Sequence, residues 1–372
     1  MLQKFKIYLP ALFILLALFG VASSVHAQQN TALLLEINGT IDPGTANYIE
    51  RGIKTAHQAQ AHLIILQLNT PGGLDKYMRS IIHTIEVSKI PIVIYVAPNG
   101  ARASNAGTYI LLASPIAAMA PGTHLGPATP MNMGDDEELM QKITQDKIAY
   151  IRSLAQRNDH NADWAESAVS TGARLTAEAA LTNKVINLIA DNVDTLLKNL
   201  NGATVKLGEK MITLDTTAMT VTQLTPDRYS QFLSVITDPN VAYILLLIGI
   251  YGLFFEFVRP GLIVPGVIGA IAIIIALYAF SLLPINYVGL ILIALSIIVM
   301  PIKLFMPRLG ALGILGLIFF IIGSILLLTM DMIGYQIAWY VIISIAIVTA
   351  LFFFLILGMA MRSRQRRIKK GD

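Results

Sequence analysis

"LIILQLNTPGGLDKYMRSIIHTIEVSKIPIVIYV", residues 63–96, decides the fold. Two apolar, β-branched runs, "LIILQLN" (63–69) and "PIVIYVAP" (91–98), flank "LDKYMRSIIHTIEVSK" (74–89), whose apolar residues recur at helical spacing. A strand with no polar face must be covered on both sides, so this order implies a mostly parallel sheet between helical layers. The alternation extends outward. "TALLLEING" (31–39) and "ANYIERGIKTAHQAQ" (46–60) precede it, "IAAMAPG" (116–122) follows, and "TVKLGEKMITL" (204–214) reads as a hairpin about Gly208-Glu209.

The remainder of the chain is a different solvent problem. Of 372 residues, 55% are hydrophobic and 13% charged, with mean hydropathy +0.64, too apolar for a soluble globule. From about residue 240 the chain is almost uncharged, with apolar stretches at about 241–257, 261–283, 287–304, 309–328 and 337–361, near the roughly 20 residues a span requires. About five spans are expected. Arg259, Lys303, Arg308 and "RSRQRRIKK" (362–370) fall on one side, whereas "LLPIN" (282–286) and "TMDMIGY" (329–335) carry no Lys or Arg. The positive-inside rule then places the α/β domain outside and the tail in the cytoplasm. Glu256 and Arg259 read as interfacial, with a functional pair as the alternative, and so few ionisable groups in the spans argue against a channel or transporter.

The first thirty residues, "MLQKFKIYLPALFILLALFGVASSVHAQQN", have Lys4 and Lys6, an apolar run and small residues up to Ala27. That is the layout of a secretory signal cleaved after Ala27, or of a retained anchor helix. Zero Cys excludes disulfide and thiolate chemistry, and six scattered His give no metal site, so no cofactor is expected. The basic residues behind the net charge of +4 cluster beside the spans and in the tail, so the charge is not a nucleic-acid signal and no nucleic-acid partner is expected.

Three features could carry chemistry. Pro71-Gly72-Gly73 ends a strand, where backbone N–H groups can approach a ligand as an oxyanion hole, or simply turn the chain. In "PNGARASNAGTYILLAS" (98–114), Ser104 precedes a helical pattern beginning at Ala106, as either a nucleophile or an N-cap. Thr108 is a lesser hydroxyl. A nucleophile needs a base, and neither His83 nor His124 has an acid at a telling spacing. Lysine remains, acting as a base only when neutral. Lys142 heads "KITQDKIAYIRSLAQ" (142–156) behind the acidic run "MGDDEELMQ" (133–141), which reads as an exposed loop. Lys147, five residues on, points well away from Lys142.

Taken together, "LLLEINGTIDPGTANYIERGI", "LIILQLNTPGGLDKYMRSII", "IPIVIYVAPNGARASNAGTYILLAS", "AAMAPGTHLGPATP", "KITQDKIAYIRSLAQ", "LTAEAALTNKVINLIA" and "FFEFVRPGLIVPGVIG" resemble the NfeD family, membrane-bound serine proteases of the ClpP class. The resemblance implies an α/β ClpP/crotonase-like domain (28–235) after a signal peptide (1–27), followed by an all-α transmembrane domain of about five helices (236–361) and a basic cytoplasmic tail (362–372). It implies a Ser–Lys dyad with Lys142 as base, Gly72 and Gly73 at the oxyanion hole, and a bacterial inner-membrane location. It also implies a polypeptide substrate with apolar segments, a stomatin-like membrane partner and a homo-oligomer.

Three departures stand against the pattern. The family reads Ala-Ser-Ala-Gly-Thr before the helix and this chain reads Ser104-Asn105-Ala106-Gly107-Thr108, so Asn105 takes the nucleophile's place and Ser104 lies one residue early. One residue at a helix start turns a side chain by about 100°. Asn69 stands where the family commonly has Asp. Long members also end in a small OB-like barrel, which is expected to be missing here or supplied by another polypeptide. The outcomes left open are a serine endopeptidase using Ser104, or a pseudoprotease scaffold that binds polypeptide without cleaving it.

Overall fold

The computed structural model describes residues 30–130, 137–208, 210–258, 263–305, 311–328 and 336–351; the expected signal sequence and basic tail lie outside the described residues. The chain runs β1 (Thr31–Asn38), α1 (Pro43–Gln58), β2 (Leu63–Asn69), α2 (Asp75–Glu86), β3 (Ile92–Val96), β4 (Arg102–Ala103), α3 (Ala106–Leu112), β5 (Ile116–Met119) and β6 (His124–Leu125). It continues through α4 (Glu137–Arg157), α5 (Ala162–Ser170), β7 (Leu175–Thr176), α6 (Ala177–Thr182), β8 (Leu188–Ile189) and α7 (Val193–Leu200). The α/β part closes with β9 (Thr204–Leu207), β10 (Lys210–Thr213), β11 (Thr220–Leu224) and α8 (Arg228–Ile236).

The main sheet has the order β11-β1-β2-β3-β5-β8, and every pairing in it is parallel. Its burial follows the strand period of two on both faces. Ile64, Leu66 and Leu68 pack with Ile49 and Ile53 of α1 and Ile81 and Ile82 of α2. Leu63 and Ile65, pointing the other way, pack with Tyr95 and with Leu196 and Leu200 of α7. The hairpin about residue 208 forms as β9 and β10. A second, small sheet, β4-β6-β7, stands at the end of β2 and β3 where the candidate motifs lie.

The membrane part comprises α9 (Pro239–Val258), α10 (Ile263–Leu282), α11 (Tyr287–Phe305) and α12 (Ala311–Leu327), and the apolar helix Trp339–Leu351. Among the described residues, Pro239–Glu256 and Ile263–Leu282 are long and apolar enough to cross a bilayer, and three apolar helices are shorter. α9 and α10 approach through glycine: a Cβ on Gly252 would stand 2.7 Å from the Gly269 Cα. Lipid supplies little hydrophobic drive, so backbone approach of this kind is what packs such helices.

Candidate functional site

Three chain segments converge at the carboxyl ends of β1 and β2. The Ile41 N–H donates to the Gly72 carbonyl (2.8 Å) and the Leu74 N–H to the Ile41 carbonyl (2.9 Å). A Cβ on Gly73 would sit 2.2 Å from the Ile41 oxygen, and one on Gly72 would sit 2.8 Å from the Asn105 Cβ. Pro71-Gly72-Gly73 is therefore more than a turn: Gly73 is required by the approach of the Ile41 backbone, and Gly72 by its φ of +127° and the Asn105 side chain beside it. The third segment is held from two sides, by Ser104 N–H to Thr70 O (3.1 Å) and Asn105 N–H to Pro127 O (2.6 Å).

Asn105 itself has φ 47° and ψ −114°, a left-handed conformation rare for a residue with a side chain. Its amide donates to the Pro71 carbonyl at 3.2 Å. The Ser104 hydroxyl donates to the Gly126 carbonyl at 3.0 Å. Neither side chain caps α3, since no side-chain hydrogen bond reaches its first N–H groups. The residue that faces the Gly72 backbone is Asn105, and Ser104 is directed to Gly126. Thr108 is fully buried and donates to the Ala103 and Pro127 carbonyls, so its hydroxyl serves the turn. Asn69 accepts from the Arg102 N–H (3.1 Å) and donates to Asn38 (2.9 Å), tying the end of β2 to β4 and to β1.

Of the two expected oxyanion donors, the Gly72 N–H is taken by the Thr70 hydroxyl at 3.1 Å. Ala106, the first residue of α3, supplies an N–H that helix geometry leaves without an intrahelical acceptor.

The lysines divide as their spacing requires. Lys142 has a side chain 70% exposed and pairs with Glu138 at 2.6 Å, one turn back on α4. The acidic run is thus partly helical, because Glu137 and Glu138 open α4, while 131–136 lie outside the described residues. Lys147, 18% exposed, pairs with Asp75 and lies 5.6 Å from the Tyr109 ring centroid. Arg79 joins Asp75 at 2.9 Å and Asp146 at 3.4 Å, with its guanidinium over the Tyr150 ring. Burial pushes the Asp75 carboxyl up, but the Lys147 hydrogen bond and charge, then Arg79, outweigh it and hold the group below its ordinary range. Burial raises the Tyr109 phenol. This cluster clamps α4 against α2 and α3 beside the Gly72-Gly73 turn. The sequence offered one signal for it, the i,i+4 pair Asp75 and Arg79 directly after the glycines.

The site also abuts the membrane part. Leu74, the residue after Gly73, is buried in one apolar cluster with Leu233, Ile236, Tyr243 and Leu246. The Tyr77 hydroxyl donates to the Leu282 carbonyl at the end of α10 (3.0 Å).

A parallel α/β domain with this glycine turn, seated on a bundle of apolar helices, defines a membrane protein with a ClpP-like protease fold. Residues 31–220 match the NfeD1b N-terminal domain and residues 240–359 the NfeD integral membrane domain. The chain belongs to the NfeD family. It is 40% identical over 319 residues, 84% of this chain and 72% of the relative, to the membrane-bound protease PH1510 of Pyrococcus horikoshii. It is 29% identical over 330 residues, 85% of this chain and 71% of the relative, to the membrane protein NfeD1b of Bacillus subtilis. Among solved structures it is similar to the 1510-N membrane-bound stomatin-specific protease, as a lysine-to-alanine mutant in complex with a substrate peptide. That likeness has TM-score 0.53 and 39% identity, covering 56% of this chain and 99% of that one. A serine-to-alanine mutant of the same protease gives TM-score 0.51 and 40% identity, covering 54% and 99%.

Proposed function

We propose that this chain is a membrane-bound peptidase of the ClpP class that takes polypeptide segments at the bilayer surface. The observation that carries it is the seat of the Gly72-Gly73 turn, one residue from a side chain buried in the membrane part, in a chain 40% identical to a membrane-bound protease. The Ser104 hydroxyl is the nucleophile, Lys142 the base that accepts its proton, and the Gly73 and Ala106 N–H groups receive the negative charge on the carbonyl oxygen. The site is on the non-cytoplasmic side, a reading supported by the Lys and Arg distribution among the loops. A stomatin-like membrane protein is the proposed substrate or partner, since the similar solved protease is named for that specificity.

In the structure the dyad is apart. Ser104 must leave Gly126 and Lys142 must leave Glu138 and enter the groove, where burial favours a neutral amine. Each partner is a single hydrogen bond or an exposed ion pair, with a net value of about 1 kcal/mol or less, so bound polypeptide can exchange them. Catalytic contacts commonly tighten only with substrate bound.

A second reading is favoured by Asn105. Its amide occupies the place facing Gly72 and cannot attack a carbonyl as a hydroxyl does, which suits a scaffold that holds polypeptide without cleaving it. The test is hydrolysis of an apolar peptide by the full chain in detergent. The peptidase reading expects Ser104→Ala and Lys142→Ala each to cut the rate by about 10³-fold or more. No hydrolysis by the parent, and its appearance with Asn105→Ser, supports the scaffold and overturns the dyad.

A further inference from the structure

Between the α/β domain and the bundle lies α8, a nine-residue helix, Arg228–Ile236, with two dissimilar sides. Ser230, Leu233 and Ile236 are buried, the last two in the bundle's apolar cluster. Ser230 and Ser234 lie against Gly44 at the start of α1. The remaining arc exposes Tyr229 (51%), Phe232 (44%) and Val235 (57%), three apolar side chains at intervals of three residues, together with Arg228 and Gln231. Arg228 is the sole charged residue of the helix.

The level of this arc is fixed by the chain itself. α8 ends at Ile236 and α9 begins at Pro239, three residue steps that reach at most about 11 Å. At the other end the Tyr229 hydroxyl meets that of Tyr278 at 3.3 Å. Tyr278 stands four residues inside the end of α10, about 6 Å along its axis. Both ends of α8 are thus tied to the outer rim of the spans, so the helix lies along that rim. The same rim exposes Tyr287 at the start of α11 and Trp339 and Tyr340 at the start of the last described helix, the residue types that gather at a membrane–water boundary.

We propose that α8 is an interfacial membrane helix whose Tyr229–Phe232–Val235 face is inserted in the outer-leaflet headgroup and acyl boundary. Its occupant is lipid: the face continues the exposed apolar surface of the bundle, and Arg228 beside it suits anionic headgroups. The buried side of α8 touches α1, so lipid contact on the outer side sets how the α/β domain sits over the bilayer.

Zero Cys in the chain allows single spin labels in the full-length protein reconstituted in vesicles of phosphatidylethanolamine and phosphatidylglycerol. Labels at Phe232→Cys and Val235→Cys should be more accessible to oxygen than to a water-soluble nickel chelate, at a depth of about 5–10 Å. Lys54→Cys, at an exposed position of α1, and Ile274→Cys on α10 mark the water and hydrocarbon limits. Labels at 232 and 235 that match the Lys54→Cys label overturn the proposal. So does shielding from both reagents, which would mean that protein covers the face.

Discussion

The Asn105 Cβ stands where a side chain on Gly72 would have to go, 2.8 Å from the position such a Cβ would take. Gly72 also has φ +127°, so substitution there meets both strain and a contact. Gly39, at φ +133°, has nothing within 4 Å of its would-be Cβ and isolates the strain alone. Gly39→Ala should cost about 1–2 kcal/mol, and Gly72→Ala that plus about 1–3 kcal/mol of overpacking. Thermal unfolding of the two variants in the full chain checks it; equal costs would mean that Asn105 does not abut Gly72.

The Asp75 carboxyl is held below its ordinary value of 3.8 by Lys147 and Arg79 against the opposing effect of burial. A carboxyl with a depressed folded-state pKa adds stability that is fully present above its unfolded value and lost as pH falls through the folded one. Asp75→Asn should therefore lower stability at pH 7 by about 1 kcal/mol or less, because the side chain is partly exposed and screened. The gap between parent and variant should close only as pH drops below 3.8. Urea unfolding at neutral and acid pH reads it, and a gap that persists in acid would assign the loss to packing.

The parts legible in the sequence share a physical cause. β1, β2 and β3 are apolar on both faces, so their place between helical layers was written in local composition. β11, by contrast, is an edge strand with three exposed residues of five, and Thr220-Val221-Thr222-Gln223-Leu224 carries no burial signal. β4, β6 and β7 have two residues each, too few to show a period. The glycine turn was visible, but what it faces was not. The contact of Gly72 with Asn105 and the pairing of Lys147 with Asp75 join segments distant along the chain, and nothing local distinguishes Lys147 from Lys142. The closeness of Leu74 and Tyr77 to the membrane helices was hidden for the same reason.

The glycines between α9 and α10 give a membrane-side prediction. A Cβ on Gly252 would stand 2.6 Å from the Pro265 carbonyl and 2.7 Å from the Gly269 Cα, all backbone atoms. Only separation of the helices could relieve that contact. Gly252→Leu should destabilise the hairpin by about 1–3 kcal/mol or more, seen as a lower denaturation midpoint in detergent. Gly202→Ala, an α/β-domain change with nothing within 4 Å, should leave the bundle's transition unmoved.

Tyr77 ties the site to the membrane part. The Tyr77 hydroxyl is half-buried and donates to the Leu282 carbonyl, which closes α10. The ring packs against both the α/β core and the apolar cluster that holds Leu74. Tyr77→Phe removes the hydrogen bond and keeps the packing, so its cost should be about 1 kcal/mol. Tyr77→Ala loses both and should cost about 2–3 kcal/mol, below the range for a fully buried aromatic because the ring is only half-buried. Hydrogen exchange on the full chain localises the effect. Faster exchange confined to residues 72–78 and the end of α10 identifies Tyr77 as a link between the Gly72-Gly73 turn and the bilayer helices. Faster exchange throughout β1 to β3 would instead make it a core residue of the α/β domain, with no special part in seating the site on the membrane.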